Sequence, residues 1–581
     1  MARTNDDVAA MLEEYADLLA ITGGEDFKIR VYQKAARSIG AHVPDIAGYD
    51  AAELRQIPNV GESIAKKVAE YLRSGTIPQL EELRGRIPAG VRALTRIPAL
   101  GPKRAMVLHQ RLGVDSPESL ESAIHAGALH GLPGFGAKTE ENLLHGIALL
   151  RDAGERVHLG VAMPLAEDIV AALRAVGGCR RCGYAGSLRR MKDTIGDIDI
   201  LATSNRPKVL MSAFVDLPQV IEVILHGDTK TSVRTSQGLQ VDLRVVPPDA
   251  WGAAMQYFTG AKAHNIRTRE IAVHRKLKLS EYGLFDALTD ELIVSKTEEE
   301  VYERLGLPWI PPTLREDIGE IEAALAGELP DLVTEEDVRG DLHTHTELTD
   351  GLASLEEMLA AAAERGYAYY AVTDHGPKLY MQQMTLDKAV AQRERVRELD
   401  GTGGIRLLHG VELNIDADGD VDWPPDVLAE FDVCVASVHS FFDLPQDKTT
   451  RRLVRAAQHP CVNIIGHPSA RLIGRRPPID ADWDKVFEAC ARSGTALEIN
   501  AFPDRLDLSA ELIRRARRHG VKFAVDSDSH AVGHLANLRY GIGTAQRGWL
   551  TADDVINTWP LDRLTAFLRK EQAFTGAGQR R

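Results

Sequence analysis

Two sets of metal-type side chains stand out in this 581-residue chain. In AGSLRRMKDTIGDIDIL (185–201), Asp197 and Asp199 alternate with Ile198 and Ile200. Period two predicts a strand with both carboxylates on one face and the isoleucines in the core. LQVDLRVVP (239–247) predicts a second strand that carries Asp242 between apolar neighbours. Three carboxylates on adjacent strands suit two divalent cations about 4 Å apart, which activate an attacking hydroxyl and neutralise a leaving pyrophosphate. Mg²⁺ is the hard, oxygen-seeking candidate. Upstream, Gly186 and Ser187 offer close backbone approach and a hydroxyl, with Arg189 and Arg190 beside them, as a polyphosphate site needs. Tyr257, Phe258 and then Gly260 are placed to wall a sugar pocket.

The second set lies in the C-terminal half. YAYYAVTDHG, IRLLHGVELNID, FDVCVASVHS, CVNIIGHPS, TALEINAF and KFAVDSDSH are short β-rich runs separated by helical stretches, which predicts an α/β barrel. Metal-type side chains recur at the ends of these runs: His343, His345 and Asp350 in DLHTHTELTDG, then His375, Glu412, His439, His467, Asp528 and His530. Strand ends of one polarity meet at one barrel mouth, so residues spread along the chain converge. Six imidazoles and three carboxylates suit up to three borderline cations such as Zn²⁺ or Mn²⁺, with a phosphate ester as substrate. His409, His459, His519 and His534 fit no such placement.

The first 150 residues read as all-helical, with apolar residues at helical spacing in MLEEYADLLAI, IAKKVAEYLRSG and TEENLLHGIALLRDAG. One pattern occurs three times, as IPNVGESIAKK, IPALGPKRAMVL and LPGFGAKTEENL. Gly61, Gly101 and Gly136 are expected to adopt a backbone conformation other residues resist, each opening a helix whose free N–H groups hold a phosphate. Lys66 and Lys67 follow one copy, and Lys103 and Arg104 another. This is the helix-hairpin-helix signature, a grip on the DNA backbone without sequence reading. In FKIRVYQKAARSI, Lys28, Tyr32 and Lys34 lie near one another on a helix.

Composition frames these sites. No run of about 18 apolar residues exists, and the N-terminus is acidic and amphipathic, so a soluble cytoplasmic protein is expected. Five cysteines exclude a disulfide framework. The net charge of −15 alone argues against a nucleic-acid partner. Residues 311–581, however, hold 31 Lys+Arg against 44 Asp+Glu, while residues 1–310 hold 38 against 40, so the acidity belongs to the C-terminal part. A connector is expected at 316–337, with broken ends and a short helix in its middle.

On these motifs, residues 1–315 resemble the family X DNA polymerases. The resemblance implies Asp197, Asp199 and Asp242 as ligands of two Mg²⁺ ions, with Asp242 the base near the primer 3′-hydroxyl. It also implies triphosphate contacts from Ser187, Arg190 and Gly196, exclusion of a ribose 2′-hydroxyl by Tyr257 and Phe258, and Asn265 and Arg269 facing nucleotide and template. Lys67 falls at the Schiff-base lysine of 5′-deoxyribose phosphate lyases, and Lys28, Tyr32 and Lys34 around its 5′-phosphate. Ser63 replaces a second phosphate-holding lysine, and Ala261 a serine. Residues 338–575 resemble the polymerase and histidinol phosphatase (PHP) superfamily, with all nine ligand positions filled. The two halves in this order match the bacterial family X polymerases with a C-terminal PHP domain.

The implied architecture is multidomain: a helical DNA-end and lyase-like unit at 1–85, helix-hairpin-helix fingers at 86–150, an α+β nucleotidyltransferase palm at 151–248, a thumb at 249–315, and a distorted TIM-like PHP barrel at 338–575. The implied function is gap-filling DNA synthesis in base excision repair from dNTPs on gapped or damaged DNA, by a monomer at the nucleoid. The barrel would add 3′–5′ exonuclease, apurinic-site endonuclease and 3′-phosphoesterase activity. Two other classes compete. One is a non-polymerase nucleotidyltransferase fused to a small-molecule phosphatase, against which the hairpins and the Tyr-Phe pair weigh. The other is a non-catalytic DNA-end scaffold, against which the intact ligand sets weigh. Cys179 and Cys182 have half-zinc-site spacing without a second pair, and RRARR at 514–518 reads as a solvated helix face or a DNA contact.

Overall fold

The computed structural model describes residues 4–570 apart from 23–24, 43, 96, 98–99, 133, 137–138, 145, 148–155 and 379–383, with backbone alone at 6, 26, 41, 89, 93, 102 and 103. The side chain of Lys103 and residues 98–99 of the second hairpin copy therefore lie outside the described residues.

The N-terminal region is helical, with Thr4–Ile21, Asp26–Ala41, Glu62–Ser74 and Pro102–Leu112 among its helices. One apolar core runs through it from Val8 to Ile147. The three repeats share one turn. The N–H groups of Val60, Leu100 and Phe135 donate to the carbonyls of Ile57, Ile97 and Leu132, and the next helix closes onto the carbonyl of Gly61, Gly101 or Gly136. The expected role of these glycines is corrected in one respect. Gly61 and Gly101 have ordinary backbone angles (φ −74° and −68°), and the left-handed residue is the one two places earlier, Asn59 (φ 61°) and Gly134 (φ 84°). In the first copy, Pro58 followed by left-handed Asn59 is a type II turn. A Cβ at Gly61, Gly101 or Gly136 would meet nothing within 4 Å, so what these glycines provide is a bare helix N-terminus.

The central region holds a five-stranded sheet in the order Cys179–Tyr184, Asp197–Ser204, Gln240–Val245, Lys230–Thr235, Val220–His226. The second and third of these pair in parallel, and their register sets Asp199 opposite Asp242. Ile198, Ile200, Val241 and Leu243 are buried, as the alternation predicts. Behind the sheet lies helix Leu159–Arg174, whose apolar face also meets Leu506 and Tyr540 from the C-terminal half. Helices Trp251–Thr259 and Lys262–His274 follow, then a three-stranded sheet (277–294) and helix Glu298–Arg304 around a core of their own.

The C-terminal half is a seven-stranded parallel sheet in chain order, from Gly340–Asp341 to Phe523–Asp526. A parallel bridge between Thr344 and Ser529 nearly closes it into a barrel, with helices packed outside over a large apolar core. The connector carries the expected short helix, Glu320–Ala326. Its acids are pins: Glu320 accepts from buried His264 at 2.6 Å, and Glu316 accepts from Arg190 at 3.0 Å and from Arg547 at 2.9 Å.

Arg315 is fully buried, donating to Glu298 at 2.5 Å and to the Ile310 carbonyl at 2.8 Å. Glu298 also accepts both ends of the Arg189 guanidinium, at 2.7 and 2.9 Å. Burial pushes the Glu298 carboxyl up, but Arg189 and Arg315 outweigh it and hold it at about 2. A depressed carboxyl stabilises above its ordinary value and loses that contribution as pH falls through its folded value, so this linkage should weaken as pH drops from about 4.5 towards 2. Arg315→Met is expected to destabilise the 251–315 region by roughly 3 kcal/mol or more, since it leaves a buried carboxylate short of a partner. Faster hydrogen exchange in 262–304 is the readout, and unchanged exchange would refute the role.

Candidate active sites

In the central sheet the three carboxylates arise from register. Asp197 and Asp199 are two apart on one strand, and Asp242 is the direct partner of Asp199 on the next. Gly186 has φ 62°, and a Cβ there would lie 2.6 Å from an Asp199 oxygen, so only glycine lets the loop approach the carboxylate this closely. Burial, with Asp197 and Asp242 beside it, pushes Asp199 up to about 6. Burial also raises Asp242, but hydrogen bonds from Lys230 (2.8 Å), Gln240 (2.9 Å) and Ser232 outweigh it and hold the carboxyl below its ordinary value. An all-oxygen donor set with one carboxylate destabilised by its neighbours fits hard divalent cations. Lys230 bonds Asp242 directly, and with Arg244 it offsets only part of the rise at Asp199.

The expected nucleotide-contact residues lie on the turn after Gly186, just before strand Asp197–Ser204, and on or beside helices Trp251–Thr259 and Lys262–His274. Arg190 donates to Glu316 and to the Thr259 carbonyl (2.8 Å), so its guanidinium is engaged within the protein. Gly196 abuts Arg156, whose Nη1 would lie 2.9 Å from a Cβ. Tyr257 and Phe258 meet edge to face at 5.1 Å, Asn265 donates to the carbonyls of Tyr257 (2.6 Å) and Gly260 (3.1 Å), and the Arg269 guanidinium lies 5.9 Å over the Tyr257 ring. Ser187 begins the same turn as Gly186. Sequence reading missed Lys230, Glu298 and Glu316. Lys230 shares a strand face with Ser232, the partner of Asp242, which only the sheet order reveals.

In the N-terminal region Lys67 donates to Ser63 at 3.2 Å, and both line a surface cavity of ≈450 Å³ with Lys66 and Glu70. Lys66 pairs with Glu62 at 2.7 Å and Lys28 with Glu25 at 3.5 Å. Tyr32 is buried against Tyr15 (4.6 Å between rings), while Lys34 is exposed.

All nine barrel residues converge. Glu412 is the hub. Its oxygens lie 2.7 Å from His375 Nδ1, 3.1 Å from both His439 Nε2 and His467 Nε2, 3.5 Å from His343 Nε2 and 3.7 Å from His345 Nε2. Asp350 is 3.4 Å from His375 and 3.3 Å from His530, and Asp528 is 3.2 Å from His345. Three groups have ligand atoms within 4.8 Å of one another: His345, Asp350, His375 and His530; His343, His345 and Asp528; His375, Glu412 and His439. Among the described residues every such group of His, Cys, Asp and Glu lies in the barrel, so Cys179 and Cys182 join none. His343 Nε2 and both ring nitrogens of His345 are buried without a hydrogen-bond partner. Orphaned ligand atoms around one hub fit metal ions.

Glu498 was missed by sequence reading although it lies in TALEINAF. Fully buried, it accepts from His343 Nδ1 at 2.6 Å and from the His467 backbone N–H. That bond fixes the His343 ring and turns Nε2 towards Glu412 and Asp528. Asn500 donates to Asp528 at 3.0 Å and to Glu498 at 3.2 Å.

A parallel-strand carboxylate cluster joined to helix-hairpin-helix turns, and a barrel with a histidine–carboxylate mouth, define a protein with two separate phosphoryl-transfer centres. Known proteins agree segment by segment. Residues 3–77 match the helix-hairpin-helix domain, 91–148 the SAM-like helix-hairpin-helix tandem, 254–316 the DNA polymerase beta thumb and 341–502 the PHP domain. The chain is 34% identical over 568 residues to the DNA polymerase/3′-5′ exonuclease PolX of Bacillus subtilis (strain 168), covering 97% of this chain and 99% of that protein. A probable phosphatase of Thermoanaerobacter sp. (strain X514) is 29% identical over 250 residues, 41% of this chain and 96% of the phosphatase. The chain belongs to the PolX family of DNA polymerase/3′-5′ exonucleases. Among the described residues no helix is long and apolar enough to cross a membrane.

Burial lowers the imidazoles of His343, His375 and His530, but Glu498, Glu412 and Asp350 outweigh it and hold all three above their ordinary value. That shift favours their protonated form, and a cation must displace whatever protons they hold. Mn²⁺ added to the full chain in weak buffer is therefore expected to release protons, with affinity falling as pH is lowered. Glu498→Gln should weaken that binding by about 10- to 100-fold, and wild-type affinity in this variant would exclude the supporting role.

Proposed function

We propose that the chain extends primer 3′ ends with dNTPs in short gaps of duplex DNA, and that its barrel removes nucleotides and blocking groups from 3′ ends. The observation that carries this reading is the pairing of Asp199 with Asp242 across parallel strands, with Gly186 against Asp199, in a chain whose barrel mouth retains nine converged ligand-type side chains. Bound Mg²⁺ would activate the primer hydroxyl and neutralise the pyrophosphate. Asp197, Asp199 and Asp242 would hold it, with Asp242 ionised at neutral pH and taking the hydroxyl proton. Gly186, Ser187, Gly196 and Arg190 would hold the triphosphate, and Arg190 must then exchange Glu316 for phosphate. Tyr257, Phe258 and Gly260 would exclude a 2′-hydroxyl, and Asn265 and Arg269 would face the incoming nucleotide and the template.

Up to three Mn²⁺ or Zn²⁺ ions suit the barrel's mixed nitrogen and oxygen donors. The same mouth would support apurinic-site endonuclease and 3′-phosphoesterase activity in base excision repair. The bare helix ends at Gly61, Gly101 and Gly136, with Lys66, Lys103 and Arg104, would grip the DNA backbone. Lys28, Tyr32 and Lys34 would hold a 5′-phosphate beside Lys67 as a Schiff-base lysine. The protein would work as a monomer in the cytoplasm, at the nucleoid.

One assay separates the centres. On a gapped duplex with dNTPs and Mg²⁺ or Mn²⁺, Asp199→Ala should lose extension by about 10³-fold or more and keep 3′ degradation, and His343→Ala should do the reverse. Extension that survives Asp199→Ala would sink the polymerase assignment, and 3′ degradation that survives His343→Ala would sink the nuclease one. Borohydride trapping on a 5′-deoxyribose phosphate end, present in the wild type and lost in Lys67→Ala, tests the lyase reading.

A further inference from the structure

The run RRARR is not simply a solvated face. It ends helix Ala510–Arg518 at the junction between the barrel and the segment that follows the thumb. Arg515 turns to Asp484 at 3.2 Å and Arg517 to Asp554 at 3.3 Å, while Arg514 and Arg518 form no ion pair among the described residues. Together with Ile318 and Trp549, Arg514, Arg517, Arg518 and Asp554 line a cavity of ≈400 Å³, within the size range of small-ligand pockets. The lining carries three guanidiniums and one carboxylate, with Glu511 and Glu316 also acting on Arg514 from outside it. Burial, with Arg547 and Arg518 nearby, pushes Arg514 down from its ordinary value and outweighs Glu511 and Glu316, the direction an anion in the cavity would reverse.

Trp549 is an aromatic residue of the lining. It adopts a left-handed backbone (φ 68°) and packs against the thumb core, and its indole Nε1–H is buried without a partner. A strained aromatic with an unused donor beside unpaired arginines is a stacking platform next to a phosphate holder.

We propose that this cavity binds a nucleotide, its phosphates on Arg514, Arg517 and Arg518 and its base against Trp549, as a free nucleotide or as the terminal unit of a strand. The site is separate from both phosphoryl-transfer centres yet connected to one. Arg514 donates to the Arg547 carbonyl at 3.3 Å, and the Arg547 guanidinium donates to Glu316 (2.9 Å) and to the carbonyl of Arg190 (3.0 Å) in the loop after Gly186. Occupancy would therefore be felt beside Arg190.

Tryptophan fluorescence of the full chain in EDTA tests this, since neither centre can then recruit a cation. The probes are ATP, inorganic triphosphate and a 5′-phosphorylated oligo-dT. Saturable quenching by ATP or by the oligonucleotide is expected, absent in Trp549→Phe and weakened about tenfold or more in Arg514→Ala/Arg518→Ala, the scale of a lost charge-assisted hydrogen bond. Arg518→Lys, which keeps the charge, should restore part of the affinity lost in Arg518→Ala. ATP binding without the oligonucleotide identifies a free nucleotide, and the reverse a strand end. Quenching that persists in Trp549→Phe, triphosphate binding as tightly as ATP, or no saturation by any probe in the millimolar range would overturn the proposal.

Discussion

Buried like charge is the constraint on which the rest of this structure depends. Asp199 lies beside two other carboxylates in a mostly buried position, and six histidines with three carboxylates fill the barrel mouth. Such groups are costly to bury unless they are paired or meet cations. The surrounding structure answers with specific partners. Lys230, Gln240 and Ser232 hold Asp242 ionised on one side, and Glu498 locks His343 on the other. In each case the compensation is partial, and the uncompensated remainder is where a cation fits.

The two centres are also mechanically joined. The loop 186–193 is held on several sides. Arg189 bonds Glu298, Arg190 bonds Glu316, and Asp193 accepts from Arg471 of the barrel at 2.9 Å. Met191 packs against Gly543, where a Cβ would lie 2.5 Å from its Cε. Arg539 adds a bond to Glu167 at 3.0 Å. The proposed triphosphate loop of the palm therefore rests on the barrel as well as on its own sheet, and Glu316 of the connector forms part of that rest.

Net charge misleads as a guide to partner for the same reason. The N-terminal 310 residues are nearly neutral overall, yet three turns closed by the same backbone hydrogen bond precede helix starts there, and backbone N–H groups carry no formal charge. In the acidic half, a few carboxylates such as Glu412 and Asp528 are committed to histidines inside the barrel mouth, so the formal charge of that half says little about the charge at the mouth.

The sequence by itself determined the elements and their chemistry. Alternation in DIDIL located the carboxylate-bearing strand, strand-end histidines located the barrel mouth, and the thrice-repeated Pro-x-apolar-Gly located the hairpins, because these signals are local and periodic. Only the tertiary structure decided the partners. The register that sets Asp199 against Asp242, the Lys230 contact and the Glu498 support depend on which strands neighbour each other. The Arg190–Glu316–Arg547 chain depends on how distant segments pack. The hairpin glycines show the same limit locally: their position was legible, but the left-handed turn belongs to Asn59 and Gly134, since composition marks a turn without saying which of its residues carries the strain.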